Sequence, residues 1–216
     1  MPKSADTYEQ EAVRQPLNRA LVFDIAERLF VSLLMVFFLY RFIPVFHDRP
    51  FGILLVFSEI MVFIFVLFRR FGPAVNTGRA WAAAIVGTCA PLLVLPGGGI
   101  QLIPSPVAYV LMLTGILFSV SAKMFLRRSF GIVAANRGIQ LAGPYRLVRH
   151  PMYFGYLLSH LAFILLNLNA WNVAVYAACW SAMFVRIRLE EGILSEDAEY
   201  RTYTTKVTSR LIPAVW

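Results

Sequence analysis

The chain has 216 residues, a formal net charge of +8 and a mean hydropathy of +0.66, and 59% of its residues are hydrophobic. Soluble domains are about 45–50% apolar, and several windows here approach the roughly 20 apolar residues that cross a bilayer. The composition therefore excludes an ordinary soluble domain and predicts an integral membrane protein. The basic residues lie between the apolar runs rather than in one basic run, which argues against binding of nucleic acid.

Six apolar runs follow a polar lead-in at residues 1–28, in which no site is visible. We predict an all-α protein with about six transmembrane helices, and the first four cover residues 29–46, 51–68, 81–95 and 107–126. The last two, residues 152–168 and 171–185, are separated by a short turn that contains Asn167 and Asn169. These two runs predict a tight C-terminal helical hairpin.

The Lys and Arg residues predict the orientation in the membrane. We place the lead-in, the tail and the loops after the second and fourth spans on one side of the membrane. Of the 20 Lys and Arg residues, only Arg41 and Arg49 then lie on the other side. Cytoplasmic loops carry the excess of basic residues, so both termini are predicted to be cytoplasmic. We treat residues 1–216 as one membrane domain, in which residues 29–126 form a lipid-facing scaffold and residues 127–216 carry the motifs described below.

The two cysteines do not predict a disulfide or a metal site. Cys89 and Cys179 both lie inside apolar runs and have no neighbouring Cys or His at ligand spacing. Buried thiols in such positions behave as small hydrophobic groups. We therefore expect no metal.

The most constrained part of the sequence is the loop at residues 143–153 (GPYRLVRHPMY), which leads directly into the fifth span. Its two prolines have a fixed φ, and the residues before them are restricted to extended backbone. The loop carries Arg149 and His150, and the end of the sixth span carries Glu190 and Glu191. Because the hairpin brings these two ends to one membrane face, opposite charges are predicted to converge at the cytoplasmic boundary.

Two further arguments concern the end of the sixth span. Arg186 and Glu190 are four residues apart, so they share a helix face and can pair. Adjacent carboxylates such as Glu190 and Glu191 repel each other, which favours a cationic partner or ligand beside them.

Residues 143–155 (GPYRLVRHPMYFG) resemble the signature of the isoprenylcysteine carboxyl methyltransferase family and its phospholipid methyltransferase relatives. The resemblance continues through residues 186–191 (RIRLEE), 199–203 (EYRTY) and 210–213 (RLIP). Residues 129–131 (SFG) and 136–138 (NRG) also look similar to the family. The similarity covers residues 129–216, and the first four spans carry no motif of the family.

The resemblance implies an integral-membrane methyltransferase that uses S-adenosyl-L-methionine, releases S-adenosyl-L-homocysteine and lacks a Rossmann fold. It places a cofactor site at the cytoplasmic face and implies a lipid-like methyl acceptor, most directly an isoprenylcysteine carboxylate. The residues that it implies for cofactor binding are Gln140, Leu141, Gly143, Tyr145, Arg149, His150, Pro151, Tyr153, Glu190 and Glu191. Arg186 and Glu190 would lie near the acceptor as catalytic residues.

The chemistry of such a reaction agrees with these residue types. The cofactor carries a carboxylate, an ammonium group, hydroxyls and a sulfonium, so its site needs both cations and carboxylates. Arginine binds carboxylate through a bidentate fork. A carboxylate acceptor, with a pKa near 4, is already ionised and needs no general base, whereas an amine acceptor must first be neutral.

Five other residues, in three groups, remain open from the sequence. Glu59 is a carboxylate at mid-membrane, so it is either functional or a protonated or paired group in helix packing. His160 lies on the helix face of Tyr153 and Tyr156 and is expected to donate an interhelical hydrogen bond rather than to bind metal. Asn167, Asn169 and Asn172 are expected to be turn and cap residues.

Three alternative functions also remain. The nearest is N-methylation of a phospholipid or another lipid. A second is a membrane sterol reductase that uses NADPH, since the C-terminal region of those enzymes looks similar. The third is a membrane protein that keeps the scaffold without activity.

Overall fold

In a computed structural model of the protein, the described residues are 17–42, 60, 63–64, 67–68, 77–95, 99–126, 129, 138–213 and 215. They are helical and contain no β-sheet, as predicted. The six α-helices of this part of the chain are α1 (Leu17–Phe42), α2 (Gly78–Cys89), α3 (Ser105–Leu126), α4 (Pro151–Leu166), α5 (Ala170–Leu194) and α6 (Ala198–Lys206). Two 3₁₀ turns, Ala90–Leu93 and Gly143–Arg146, lie between them.

Among the described helices, α3 is long and apolar enough to cross a membrane. It corresponds to the predicted fourth span, and it supports membrane association. Helix α4 is apolar but shorter, at 16 residues. The prediction of six spans therefore stays a prediction. Most of the second predicted span, including Glu59, lies outside the described residues.

The first described helix begins inside the predicted lead-in. Helix α1 starts at Leu17, so residues 17–28 of that segment are helical. On its inner face Glu27, Val31 and Met35, spaced four residues apart, are buried, whereas Leu29 and Leu33 are exposed. A four-residue spacing places side chains on one helix face. Glu27 therefore lies on the buried face of α1.

Helices α3 and α4 pack at very short distance through paired small residues. A Cβ atom added at Gly155 would lie 2.5 Å from the carbonyl oxygen of Gly115 and 2.6 Å from the backbone nitrogen of Ser119. A Cβ atom added at Gly115 would lie 2.6 Å from the carbonyl oxygen of Gly155 and 2.7 Å from the nitrogen of Ser159. Small residues four apart allow helix backbones to approach in this way. This contact sets the position of α4, and therefore of the loop at residues 143–150 that precedes it, which we call the motif loop.

The two helices of the C-terminal hairpin are joined by a short turn, and aromatic rings lie between them. The ring centre of His160 on α4 is 4.5 Å from the ring centre of Tyr176 on α5, and the ring centre of Phe163 is 5.9 Å from that of Tyr176. Along their lengths, α4 packs mainly on α3 and α5 mainly on α2. The predicted hairpin is present, but its helices are farther apart than a tight hairpin, because rings fill the space between them.

The turn of the hairpin is fixed by asparagines. Asn169 caps α5, since its side chain accepts from the backbone nitrogen of Asn172 at 2.8 Å. Asn172 is fully buried, and its amide donates to the carbonyl oxygens of Leu95 and Asn167 and accepts from the nitrogen of Leu95. The cap role is confirmed for Asn167 and Asn169. Asn172 instead lies in the first turn of α5, and its side chain ties the hairpin turn to Leu95.

Candidate functional site

The motif loop is shaped by Gly143 and by the side chain of Gln140. Gly143 has a φ of +60°, and a Cβ atom there would lie 2.5 Å from the Phe125 ring. Glycine is favoured at positive φ because it has no Cβ. Gln140 donates to the carbonyl oxygen of Phe125 and accepts from the backbone nitrogens of Leu141 and Ala142. Gln140, Leu141 and Gly143 were predicted to bind cofactor. In the structure these three residues hold the start of the loop against the end of α3.

The second half of the loop leads into α4. Pro151 is the first residue of α4. A backbone N–H at that position would have no partner within the helix, so proline loses no hydrogen bond there. Tyr145 is buried, and its carbonyl oxygen accepts from the hydroxyl of Tyr203 on α6 at 2.6 Å. Burial, followed by the charge of Glu190, raises the pKa of Tyr145 well above its ordinary value. Tyr145 therefore remains a neutral phenol near Glu190.

Glu191 is the most highly coordinated carboxylate of the site. Its Oε1 atom lies 2.9 Å from Nη1 of Arg149 and 3.3 Å from Nε2 of His150, and its Oε2 atom accepts from Nε of Arg210 at 2.6 Å. Burial alone would raise the pKa of Glu191, but the hydrogen bonds from His150 and Arg210 and the charge of Arg149 lower it. Glu191 is thus an ionised anchor for three side chains of the protein itself.

Glu190 has fewer protein partners and is more accessible. Its Oε1 atom accepts from the hydroxyl of Tyr153 at 2.8 Å, and its Oε2 atom lies 3.7 Å from Nδ1 of His150. The Glu190 side chain is 21% exposed, against 11% for Glu191. Since Oε2 has no closer partner among the described residues and the side chain is partly exposed, Glu190 is the carboxylate with an oxygen left to accept from a cationic or hydroxyl group.

Tyr153 and Arg186 are buried side chains next to Glu190: Tyr153 bonds to Glu190, and Arg186 stacks on Tyr153. Tyr153 is 1% exposed, so it acts through the hydrogen bond that it donates to Glu190. The guanidinium carbon of Arg186 lies 5.5 Å from the centre of the Tyr153 ring, a cation–π arrangement. Arg186 is 5% exposed, and its Nε atom has no hydrogen-bond partner in the described part of the chain.

The expected direct pair between Arg186 and Glu190 is not formed. Although the two residues share a helix face, the Tyr153 side chain contacts both, through its ring on one and its hydroxyl on the other. The guanidinium therefore stacks on the ring, and the carboxylate bonds to the hydroxyl. Tyr153 links the two residues that the sequence paired directly.

His160 does not make the expected hydrogen bond through its Nδ1 atom, which is buried and has no partner among the described residues. Its ring stacks on Tyr156 and contacts Tyr176 and Trp180. The contact between α4 and α5 at this level is aromatic packing.

Two charged residues of this region were not among the predicted site residues. Arg210 in the tail donates to Glu191. Glu27 on α1 is 3% exposed and interacts electrostatically with Arg186. The signal for Glu27 was present in the sequence, because a carboxylate in register with Val31 and Met35 lies on an apolar helix face.

Replacing Glu27 by glutamine is expected to lower, roughly tenfold, the rate of the methyl transfer that the sequence resemblance implies, since a buried guanidinium that loses a carboxylate is less well compensated. The measurement is kcat/KM for the acceptor, with the affinity for S-adenosylhomocysteine expected to stay within about threefold. Asp24→Asn is the matched control, because Asp24 lies on the same helix and pairs with Arg28 at 2.8 Å. Equal losses in the two variants would contradict a link between Glu27 and the site.

Glu191→Gln is expected to lower the free energy of unfolding by about 1–2 kcal/mol at neutral pH, since it weakens charge-assisted bonds. The pKa of Glu191 lies below its ordinary value of 4.5, so the stabilisation is present above that pH and is lost as the pH falls through the lowered pKa. The stability difference from wild type should be flat from about pH 6 to 8 and shrink below about 4.5 in detergent-based unfolding. A difference that grows on acidification would contradict this assignment, and exposed Glu196→Gln is the control.

The donor set fits a zwitterionic ligand with hydroxyl groups. Arg149 and Arg210 supply guanidinium groups, Glu190 supplies an accessible carboxylate oxygen, and His150 is buried between the two carboxylates. S-adenosylmethionine has a carboxylate, an ammonium group and ribose hydroxyls, so the residues present are chemically suited to it.

A family model for phospholipid methyltransferases matches residues 104–198 of the chain. The match runs from the start of α3 to the start of α6 and includes the motif loop, Arg186, Glu190 and Glu191. It supports a methyltransferase in general, and a lipid-like acceptor is consistent with it. No curated protein sequence matches the chain. The region matched covers less than half of the 216 residues, and Glu27 and Arg210 lie outside it.

Proposed function

We propose that this protein transfers a methyl group from S-adenosyl-L-methionine to a lipophilic acceptor at the cytoplasmic membrane face, with an isoprenylcysteine-type carboxylate as the acceptor. The observation that carries the proposal is the cluster of Arg149, His150, Glu190 and Glu191, which unites the two parts of the family-like sequence. The match to the phospholipid methyltransferase family supports the reaction class.

The residues of the cluster divide into two groups by their partners. Glu191 is held by three side chains and organises the site, whereas Glu190 has an oxygen available for the cofactor's ammonium or hydroxyl groups. When bound, the cofactor supplies an electrophilic methyl group on sulfonium. The protein contributes mainly orientation, which is a large part of the acceleration for an in-line displacement.

Arg186 is the residue that we assign to the acceptor. Its side chain is buried, stacks on Tyr153 and retains an Nε donor without a partner in the described residues. A carboxylate oxygen of the acceptor would satisfy that donor and be oriented by it. Because such a carboxylate is already ionised at neutral pH, no general base is required.

N-methylation of a phospholipid amine is the second candidate, and the family model favours it, because the matched family is that of phospholipid methyltransferases. An amine acceptor must lose a proton before the methyl group is transferred, so it needs a base. A carboxylate acceptor makes no such demand, which is why we place it first.

The test is a methyl-transfer assay with radiolabelled S-adenosylmethionine and protein in lipid nanodiscs, offered a prenylcysteine, phosphatidylethanolamine or a fatty acid. We expect label on the prenylcysteine that is released by alkali, since esters hydrolyse and N-methyl groups do not. Alkali-stable label on phosphatidylethanolamine would establish the second candidate. Binding of NADPH without binding of S-adenosylhomocysteine would overturn methyl transfer and favour the reductase, and binding of neither would favour the inactive scaffold.

A further inference from the structure

Tyr156 on α4 carries a hydroxyl group that makes no hydrogen bond within the described part of the chain. The residue is half-buried, and its oxygen is not one of the fully buried polar atoms that lack a partner among the described residues. The hydroxyl is therefore a donor that a ligand can reach without displacing a bond to a described residue.

The ring of Tyr156 is held by three neighbouring side chains. The Nζ atom of Lys123, a fully buried residue of α3, lies 5.1 Å from the ring centre. The His160 ring is nearly parallel to it, with an angle of 7° and 6.1 Å between the ring centres, and the Tyr153 ring meets it at 66° and 6.3 Å. Cations and aromatic rings attract one another in such arrangements. The position of the unbonded hydroxyl is therefore set by the packing of the ring.

This hydroxyl lies close to the candidate site. The guanidinium of Arg186 stacks on Tyr153, whose ring is in contact with that of Tyr156. Arg186 interacts electrostatically with both tyrosines, and Tyr156 also interacts with Tyr145 of the motif loop. Tyr156 follows Tyr153 by three residues, which places it about 4.5 Å farther along α4 from the loop. Since the loop lies at the predicted cytoplasmic boundary, Tyr156 is on the membrane side of the tyrosine that bonds to Glu190.

Tyr176 on α5 is a phenol of the same aromatic cluster with different surroundings. Its ring centre is 4.5 Å from that of His160. Its hydroxyl interacts electrostatically with Cys179. Tyr176 precedes Arg186 by ten residues, or about 15 Å along the helix. The two phenols that flank His160 therefore differ in their distance from the buried guanidinium.

We infer that the Tyr156 hydroxyl donates a hydrogen bond to the carboxylate of the methyl acceptor, the same group that Arg186 orients. This inference rests on the proposed function and adds a second acceptor-binding residue to it. A carboxylate has two oxygens and accepts from more than one donor. With one oxygen held by Tyr156, the other forms the new bond to the methyl carbon while the carbon–sulfur bond breaks and its electron pair passes to sulfur. Tyr156 keeps its proton, because an ionised carboxylate needs no base.

The experiment measures the dissociation constants of a prenylcysteine and of its carboxamide for protein in nanodiscs saturated with S-adenosylhomocysteine. In wild type we expect the carboxylate to bind roughly 10- to 100-fold more tightly than the amide, since hydrogen bonds to an ionised group are the stronger ones. Tyr156→Phe keeps the ring and its packing but removes the donor. That variant should reduce the preference roughly five- to tenfold, with Arg186 responsible for the remainder.

Tyr176→Phe is the matched control, because it removes a phenol hydroxyl from the same aromatic cluster, and it should keep the wild-type preference. The affinity for S-adenosylhomocysteine should stay within about threefold in both variants. If Tyr156→Phe keeps the wild-type preference, or if both variants lose it equally, the inference is overturned while the proposed function stands. A wild-type protein without any preference for the carboxylate overturns the proposed acceptor and this inference with it.

Discussion

Glu190→Gln is expected to weaken binding of S-adenosylhomocysteine by roughly 10- to 100-fold while the protein remains folded. The reason lies in the partners of the two adjacent carboxylates. Glu190 presents an oxygen whose nearest described partner is 3.7 Å away, whereas both oxygens of Glu191 are bonded to protein side chains. A glutamine at position 190 can still accept from Tyr153, but it has no charge to attract an ammonium group.

The measurement is calorimetric titration of the purified protein in nanodiscs, with thermal unfolding to verify the fold. Glu196→Gln is the control, because Glu196 is an exposed carboxylate in the turn after α5. Glu191→Gln should mainly reduce stability, so the two neighbouring substitutions separate binding from anchoring. An unchanged affinity in folded Glu190→Gln would remove Glu190 from the cofactor site.

The sequence predicted the helical class, the position of α3 and the hairpin because these depend on apolar periodicity and on local turn residues. It also anticipated that Arg149 and His150 would meet Glu190 and Glu191, and the structure brings these four side chains together. This proximity follows from the direction of the chain. In a helical hairpin, the start of the first helix (α4) and the end of the second helix (α5) lie at the same end of the hairpin.

The contacts that the sequence did not provide depend on long-range packing. The spacing of Arg186 and Glu190 indicated a direct pair, but Tyr153 from the other helix lies between their functional groups. Similarly, the spacing of Gln140 from the motif did not show that its side chain bonds to Phe125 at the end of α3. Helix periodicity fixes which residues share a face, but it does not say which neighbouring side chain occupies that face.

The contacts of Glu27 and Arg210 also depend on long-range packing that the sequence pattern does not show. Each is separated from the motif loop by many residues, and neither belongs to the region that the family model matches. Their contacts with the site arise from the buried face of α1 and from the backbone bonds of the tail. Assignment of the site therefore requires the packing of the scaffold as well as the motifs.

Gly155→Ala is expected to have the largest effect on stability, a loss of about 1–3 kcal/mol or more in the free energy of unfolding. Its new methyl group would lie 2.5 Å from the carbonyl oxygen of Gly115 and 2.7 Å from Cβ of Ser119, so α3 and α4 must separate. Tyr153 lies two residues before Gly155, so a shift of α4 would also move Tyr153 and reduce methyl transfer.

Gly192→Ala is the matched control for this prediction. Gly192 is also helical, but a Cβ atom there would meet nothing within 4 Å. Alanine has the higher helix propensity by about 1 kcal/mol, so this variant should be neutral or more stable than wild type. Both would be followed by thermal and detergent-induced unfolding in the same micelles. Equal stability of the two variants would show that α3 and α4 do not depend on the glycine contact. A selective loss in Gly155→Ala would establish that this contact positions the helix from which the charged loop begins.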